Sequence, residues 1–209
     1  MPTVTVKMMI FSEDELRNRL AVLPMGKMLA FSAGCAEMLM PAYERYAAKA
    51  SVSPQVPRMY RVALDAMWNL ALGTHMGAED LTRMEQDCLF AIPSEDEAWQ
   101  HGEPYAEDAG AAVTFTLRVA LSRDPQNAVW AARRLYDALD HFVGAQVESG
   151  AGWETAILEH PLIQGEFARQ QDGLVRLEQA GAATPRQTII EIWDAAKARA
   201  VWAFDASDH

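Results

Sequence analysis

The apolar positions of this chain recur with the period of an α-helix almost from end to end. Ser12 and Glu15 have the spacing of a capping box, and Leu16, Leu20 and Leu23 line up behind them, so a first helix is expected from about Glu13 to Leu23. Pro24 suits the opening of a second helix. Its apolar face runs through Met25, Met28, Leu29, Phe31, Ser32, Cys35, Leu39 and Tyr46, with Gly34 and Ala36 permitting close approach. Pro41 falls inside that pattern and predicts a kink or break, because its ring clashes with the carbonyl four residues earlier. Tyr60, Leu64, Met67, Trp68 and Ala71 give a third helix ended by Gly73, and Leu81, Met84 and Cys88 a short fourth.

Between Ile92 and Pro104 the chain turns polar and reads as the longest loop, with room for one helical turn at Glu95 to Trp99. A fifth helix follows from Tyr105 to Ser122, and Asp124 with Pro125 caps a sixth carrying Val129, Tyr136 and Val143. After Gly150 and Gly152, one or two turns fit before Pro161. A seventh helix then places Ile163, Phe167, Leu174 and Leu177 on one side, and Thr184, Pro185 and Gln187 open the last. Residues 1–11 alternate loosely, as an arm or short strand, and 203–209 read as a frayed tail. No hairpin signal occurs. The expected fold is therefore all-α, a single-domain helical bundle of about six to eight helices over residues 12–202.

Every helical stretch is interrupted by charge, so no run approaches the roughly 18 apolar residues of a membrane span. Lys7 is followed by too few apolar residues for a signal peptide, and a cytoplasmic protein is expected. Cys35 and Cys88 lack the paired spacing of a zinc or redox site and are expected in the core. The net charge of −11 disfavours a nonspecific grip on nucleic acid or an anionic membrane. That charge is concentrated. From Met76 to Asp108 ten carboxylates face one base, Arg83, so this segment carries −9 and the rest of the chain only −2.

A dinuclear carboxylate centre in a bundle needs Glu-x-x-His pairs, and none of the five histidines has an acid three residues before it. Asp137 and His141 lie four apart, spaced for one metal ion or an intrahelical pair. Phosphate loops, nucleophile elbows and zinc-protease helices are absent, and no cofactor or resident metal is indicated. The remaining candidates are acids set among apolar residues, where burial would perturb them: Glu37, Asp65, Asp108 and Asp140.

Three stretches resemble the YjaG-like proteins, a bacterial family of unknown function. They are GCAEMLMPAY (Gly34 to Tyr43), LDAMWNL (Leu64 to Leu70) and AIPSEDEAWQHGEPYAEDA (Ala91 to Ala109), with a fainter echo in EHPLIQGEF (Glu159 to Phe167). The resemblance spans roughly residues 15 to 180 and implies a shared helical fold with no stated activity. Glu37, Pro41, Tyr43, Asp65, Trp68, Pro93, Ser94, Asp96, Tyr105 and Asp108 match it, whereas Trp99 and His101 depart from it.

Two functional expectations follow. The first is a non-enzymatic, immunity-like protein that docks a basic protein partner on an acidic surface of Glu79, Asp80, Glu85, Asp87, Glu95, Asp96, Glu97 and Glu103. The alternative is a metal-dependent hydrolase or small-ligand binder whose interior pocket gathers Glu37, Asp65 and Asp108, lined by Tyr43 or Trp68.

Overall fold

The computed structural model describes residues 8–181 and 185–200. Among them lie ten helices: α1 (Glu13–Ala21), α2 (Met25–Lys49), α3 (Gln55–Ala71), α4 (Ala78–Phe90), α5 (Glu95–Gln100), α6 (Ala106–Ser122), α7 (Pro125–Gly144), α8 (Trp153–Leu158), α9 (Pro161–Gln179) and α10 (Pro185–Ala200). No strand occurs among the described residues. The excess over six to eight comes from α5 and α8, each only six residues long. Reciprocal Ser94 and Glu97 hydrogen bonds close α5 at its start, and a single buried side chain, Ile157, anchors α8.

The bundle is organised around α2, which packs against α3, α6, α7, α9 and α10. Every residue from Met28 to Met40 is buried, so over this span the helix is enclosed on all sides rather than on one face. That burial explains Pro41. The proline sits inside α2, and the helix continues through it to Lys49 instead of breaking. Its ring removes the N–H that would bond the Glu37 carbonyl, at a cost of about 3 kcal/mol. Two large buried side chains, at roughly 1.5–3 kcal/mol each, offset that, and α2 buries many more.

Caps set the other boundaries. The Ser12 hydroxyl accepts from the Glu15 N–H at 3.3 Å, and Asp124 accepts from Gln126 at 2.9 Å. Gly73 follows α3 at φ +94°, a conformation costly for other residues. On α6, small residues admit neighbours closely: a Cβ at Gly110 would lie 2.9 Å from the Tyr60 hydroxyl oxygen.

Residues 8–12 adopt neither helix nor strand and lie along the bundle. The Gln164 amide brackets Met9, accepting its N–H at 3.0 Å and donating to its carbonyl at 2.9 Å, while Phe11 stacks on Tyr136 at 5.4 Å. The alternation at residues 2–7, the Thr184 cap and the tail expected at 203–209 lie outside the described residues. Among those described, no helix is long and apolar enough to cross a membrane.

Candidate functional site

Glu37 lies in the middle of α2 and is 2% exposed. Two neighbours from α3 meet it: Arg61 donates to Oε1, and the Trp68 indole N–H donates to Oε2 at 3.3 Å. Arg61 also reaches Glu44 at 2.8 Å, two helical turns further along α2. Burial opposes the charge of Arg61 most strongly, but Glu37 and Glu44 more than compensate and hold it protonated. The carboxylate is thus neutralised where it lies.

The other two candidate carboxylates do not join it. Asp65 is exposed on the outer stripe of α3, with no hydrogen bond or ion pair among the described residues. Asp108 lies on α6 and pairs with Arg134 of α7 at 3.2 Å. Burial raises its carboxyl to about 6, with Arg134 opposing and Glu107 and Asp137 adding to the rise. Tyr43 is buried but faces elsewhere, donating its hydroxyl to the Ala91 carbonyl at 2.9 Å beside Tyr60. Of the five residues expected around one interior pocket, the structure brings only Glu37 and Trp68 together.

Asp140 accepts from the Tyr136 hydroxyl at 3.3 Å. Asp137 pairs with Arg133 at 2.7 Å rather than with His141, which packs between Trp99 and Tyr105 at 5.1 and 5.5 Å. Among the described residues no three His, Cys, Asp or Glu side chains gather as a metal ion would require.

A second interior network was not foreseen. On α9, Arg169 forks onto Glu166, donating from Nε at 2.7 Å and from Nη2 at 2.5 Å, and Gln170 donates to the same carboxylate at 2.8 Å. Arg169 Nη2 lies 3.8 Å from the Cys35 sulfur on α2. Burial pushes the Cys35 thiol up to about 12, so the sulfur stays protonated and inert as a nucleophile. A Cβ at Gly34 would sit 3.8 Å from Arg169 Nη1 and 4.0 Å from the Trp68 ring, which stacks on Trp193 of α10 at 5.3 Å. The i,i+3 spacing of Glu166 and Arg169 was the one sequence signal for this network.

The acidic segment divides in the structure. Glu103, expected on the docking surface, is 5% exposed and pairs with Arg45 at 3.0 Å and Lys49 at 2.7 Å, both near the end of α2. Glu85 pairs with Arg118 of α6 at 2.7 Å, and Asp80 with Arg83 at 2.6 Å. Glu79, Asp87, Glu95, Asp96 and Glu97 remain exposed and form no ion pair among the described residues. Glu97 is held below the usual carboxylate range by the Ser94 backbone N–H and hydroxyl.

On α5 the free acids have company. Glu95 and Asp96 stand four and three residues before Trp99, so all three share one helix face. Trp99 is 50% exposed although its ring packs on His141.

Together these features define a helical protein in which Glu37, Glu103, Asp108 and Glu166 are each tied to an arginine, while α4 and α5 carry exposed acids without an ion pair among the described residues. The chain belongs to the family described as protein of unknown function (DUF416), which matches residues 15–198. Its fold is similar to that in the crystal structure of a DUF416 family protein from Shewanella baltica OS155. The TM-score is 0.68 at 15% sequence identity, covering 86% of this chain and 91% of that one. No curated protein matches the sequence.

Proposed function

We propose that this chain is a non-enzymatic, acidic partner-binding protein, YjaG-like within its family and cytoplasmic, that docks a basic protein partner on α5. One observation carries the reading: Trp99 stands half exposed on the same face as Glu95 and Asp96, two acids that no base among the described residues pairs with. An arginine or lysine laid over the indole would gain a cation–π contact and an ion pair at once. Tryptophan and tyrosine are the side chains on which interfaces concentrate binding energy, and Tyr105 lies beside the cluster through His141. The ion-paired interior serves as scaffold, and Glu103, held by Arg45 and Lys49, fastens the segment just after α5 to α2.

The test is quantitative capture from the native host, with tagged wild type compared with Trp99→Ala and with Glu95→Gln/Asp96→Gln. A basic protein retained by the wild type and lost from both variants is the expected result. Capture that ignores all three substitutions, or no retained basic protein, would remove the reading.

A further inference from the structure

The hairpin of α3 and α4 carries a recess about 430 Å³ in volume, lined by Met59, Met76 and Met84 and by the half-exposed Val62. Four charges rim it. Arg83 and Asp80 pair with each other at 2.6 Å, whereas Arg58 and Asp87 have no ion-pair partner among the described residues. The rim therefore sums to zero on a chain of net charge −11 and offers one spare cation and one spare anion.

Two apolar side chains stand out beside this recess. Val62 is 53% exposed, and Phe90, three residues beyond Asp87 on the same side of α4, is 93% exposed. Phe90 is held there: the Tyr60 hydroxyl donates to the Cys88 carbonyl at 2.6 Å, and the Tyr43 hydroxyl to the Ala91 carbonyl at 2.9 Å. Buried tyrosines thus pin the backbone on both sides of it. A fully exposed phenylalanine on a fixed backbone beside a methionine-lined hollow is a knob next to a hole, and methionine adapts readily to an incoming ring.

We propose that this face is where two copies of the chain meet about a two-fold axis. A two-fold contact joins a patch to itself, so it must be self-complementary in shape and charge. Phe90 of each copy enters the recess of the other and covers its half-exposed Val62, and Arg58 of each pairs with Asp87 of the other. A neutral face is also where two strongly acidic molecules repel each other least. The contact uses none of the acids on α5 and stands independently of partner docking there.

Sedimentation velocity of the full chain over a concentration series tests it. The wild type is expected to reach dimer mass, and Phe90→Asp, a surface change checked for helicity by circular dichroism, to give monomer. Arg58→Asp and Asp87→Arg should each weaken the dimer tenfold or more, and the double reversal should restore it, while Trp99→Ala leaves it unchanged. Monomer mass at every concentration, a dimer that survives Phe90→Asp, or a double reversal that fails to restore association would overturn the proposal.

Discussion

Removing Arg61 should cost this fold more than neutralising the glutamate it holds. The two side chains are unequally placed, with Glu37 only 3% exposed and Arg61 32%. Arg61→Ala strands the carboxylate in the interior with the Trp68 indole as its remaining donor, at 3.3 Å. An uncompensated buried charge of this kind costs about 3–5 kcal/mol. Glu37→Gln removes charge-assisted bonds, about 1–3 kcal/mol, but Arg61 keeps Glu44 at 2.8 Å and part of its hydration. The double variant should cost clearly less than the two singles added, because the stranded charge is gone. At roughly 2–4 °C per kcal/mol for a chain of this size, Arg61→Ala should lower the melting temperature by about 6–20 °C. Urea unfolding followed by circular dichroism measures all three variants. Equal costs for the two single changes, or costs that simply add, would refute the reasoning.

Three further expectations concern individual side chains. Asp108 takes up its proton at about 6 when folded against an ordinary 3.8, so the folded protein holds the extra proton between about pH 4 and 6. Its contribution to stability is therefore full below about pH 4 and lost as pH rises through about 6, and wild type should lose ground to Asp108→Asn across that window in unfolding curves; a gap that widens the other way refutes this. Asp65→Asn, at an exposed position without a partner, should change stability by no more than about 0.5 kcal/mol, and a larger loss would reveal a contact that its exposure denies. Cys35 and Cys88, both buried with thiols raised to about 12, should resist alkylation at pH 8 until the chain is unfolded. Rapid labelling of the folded chain would contradict that.

What could be read from the sequence was what is local. Ser12 with Glu15 and Asp124 with Pro125 announce helix starts within four residues, and each starts a helix. At Pro41 the break that was one of the two expectations does not occur, because the rule for proline weighs only the lost bond and the clash, whereas packing on every side of α2 is a tertiary fact. Asp65 misled for a geometric reason. Its neighbours Leu64, Ala66 and Met67 are buried, but a helix turns about 100° per residue, so the acid belongs to the outer stripe with Arg58, Val62 and Asn69. The concentration of acid between Met76 and Asp108 was legible, but its neutralisation was not. The bases that meet Glu85, Glu103 and Asp108 come from α6, α2 and α7, and nothing in the spacing of the acids announces them.

The central claim, that the free acids and Trp99 of α5 receive a basic protein, is tested most directly by the association rate of the captured protein on the immobilised chain at increasing ionic strength. Unpaired surface acids steer a cationic partner only over about 8 Å at physiological salt and further when salt is low. The rate should therefore fall steeply as salt rises, with Glu95→Gln/Asp96→Gln flattening the dependence and Trp99→Ala chiefly shortening the lifetime of the complex. A rate that is indifferent to salt in the wild type would contradict the claim.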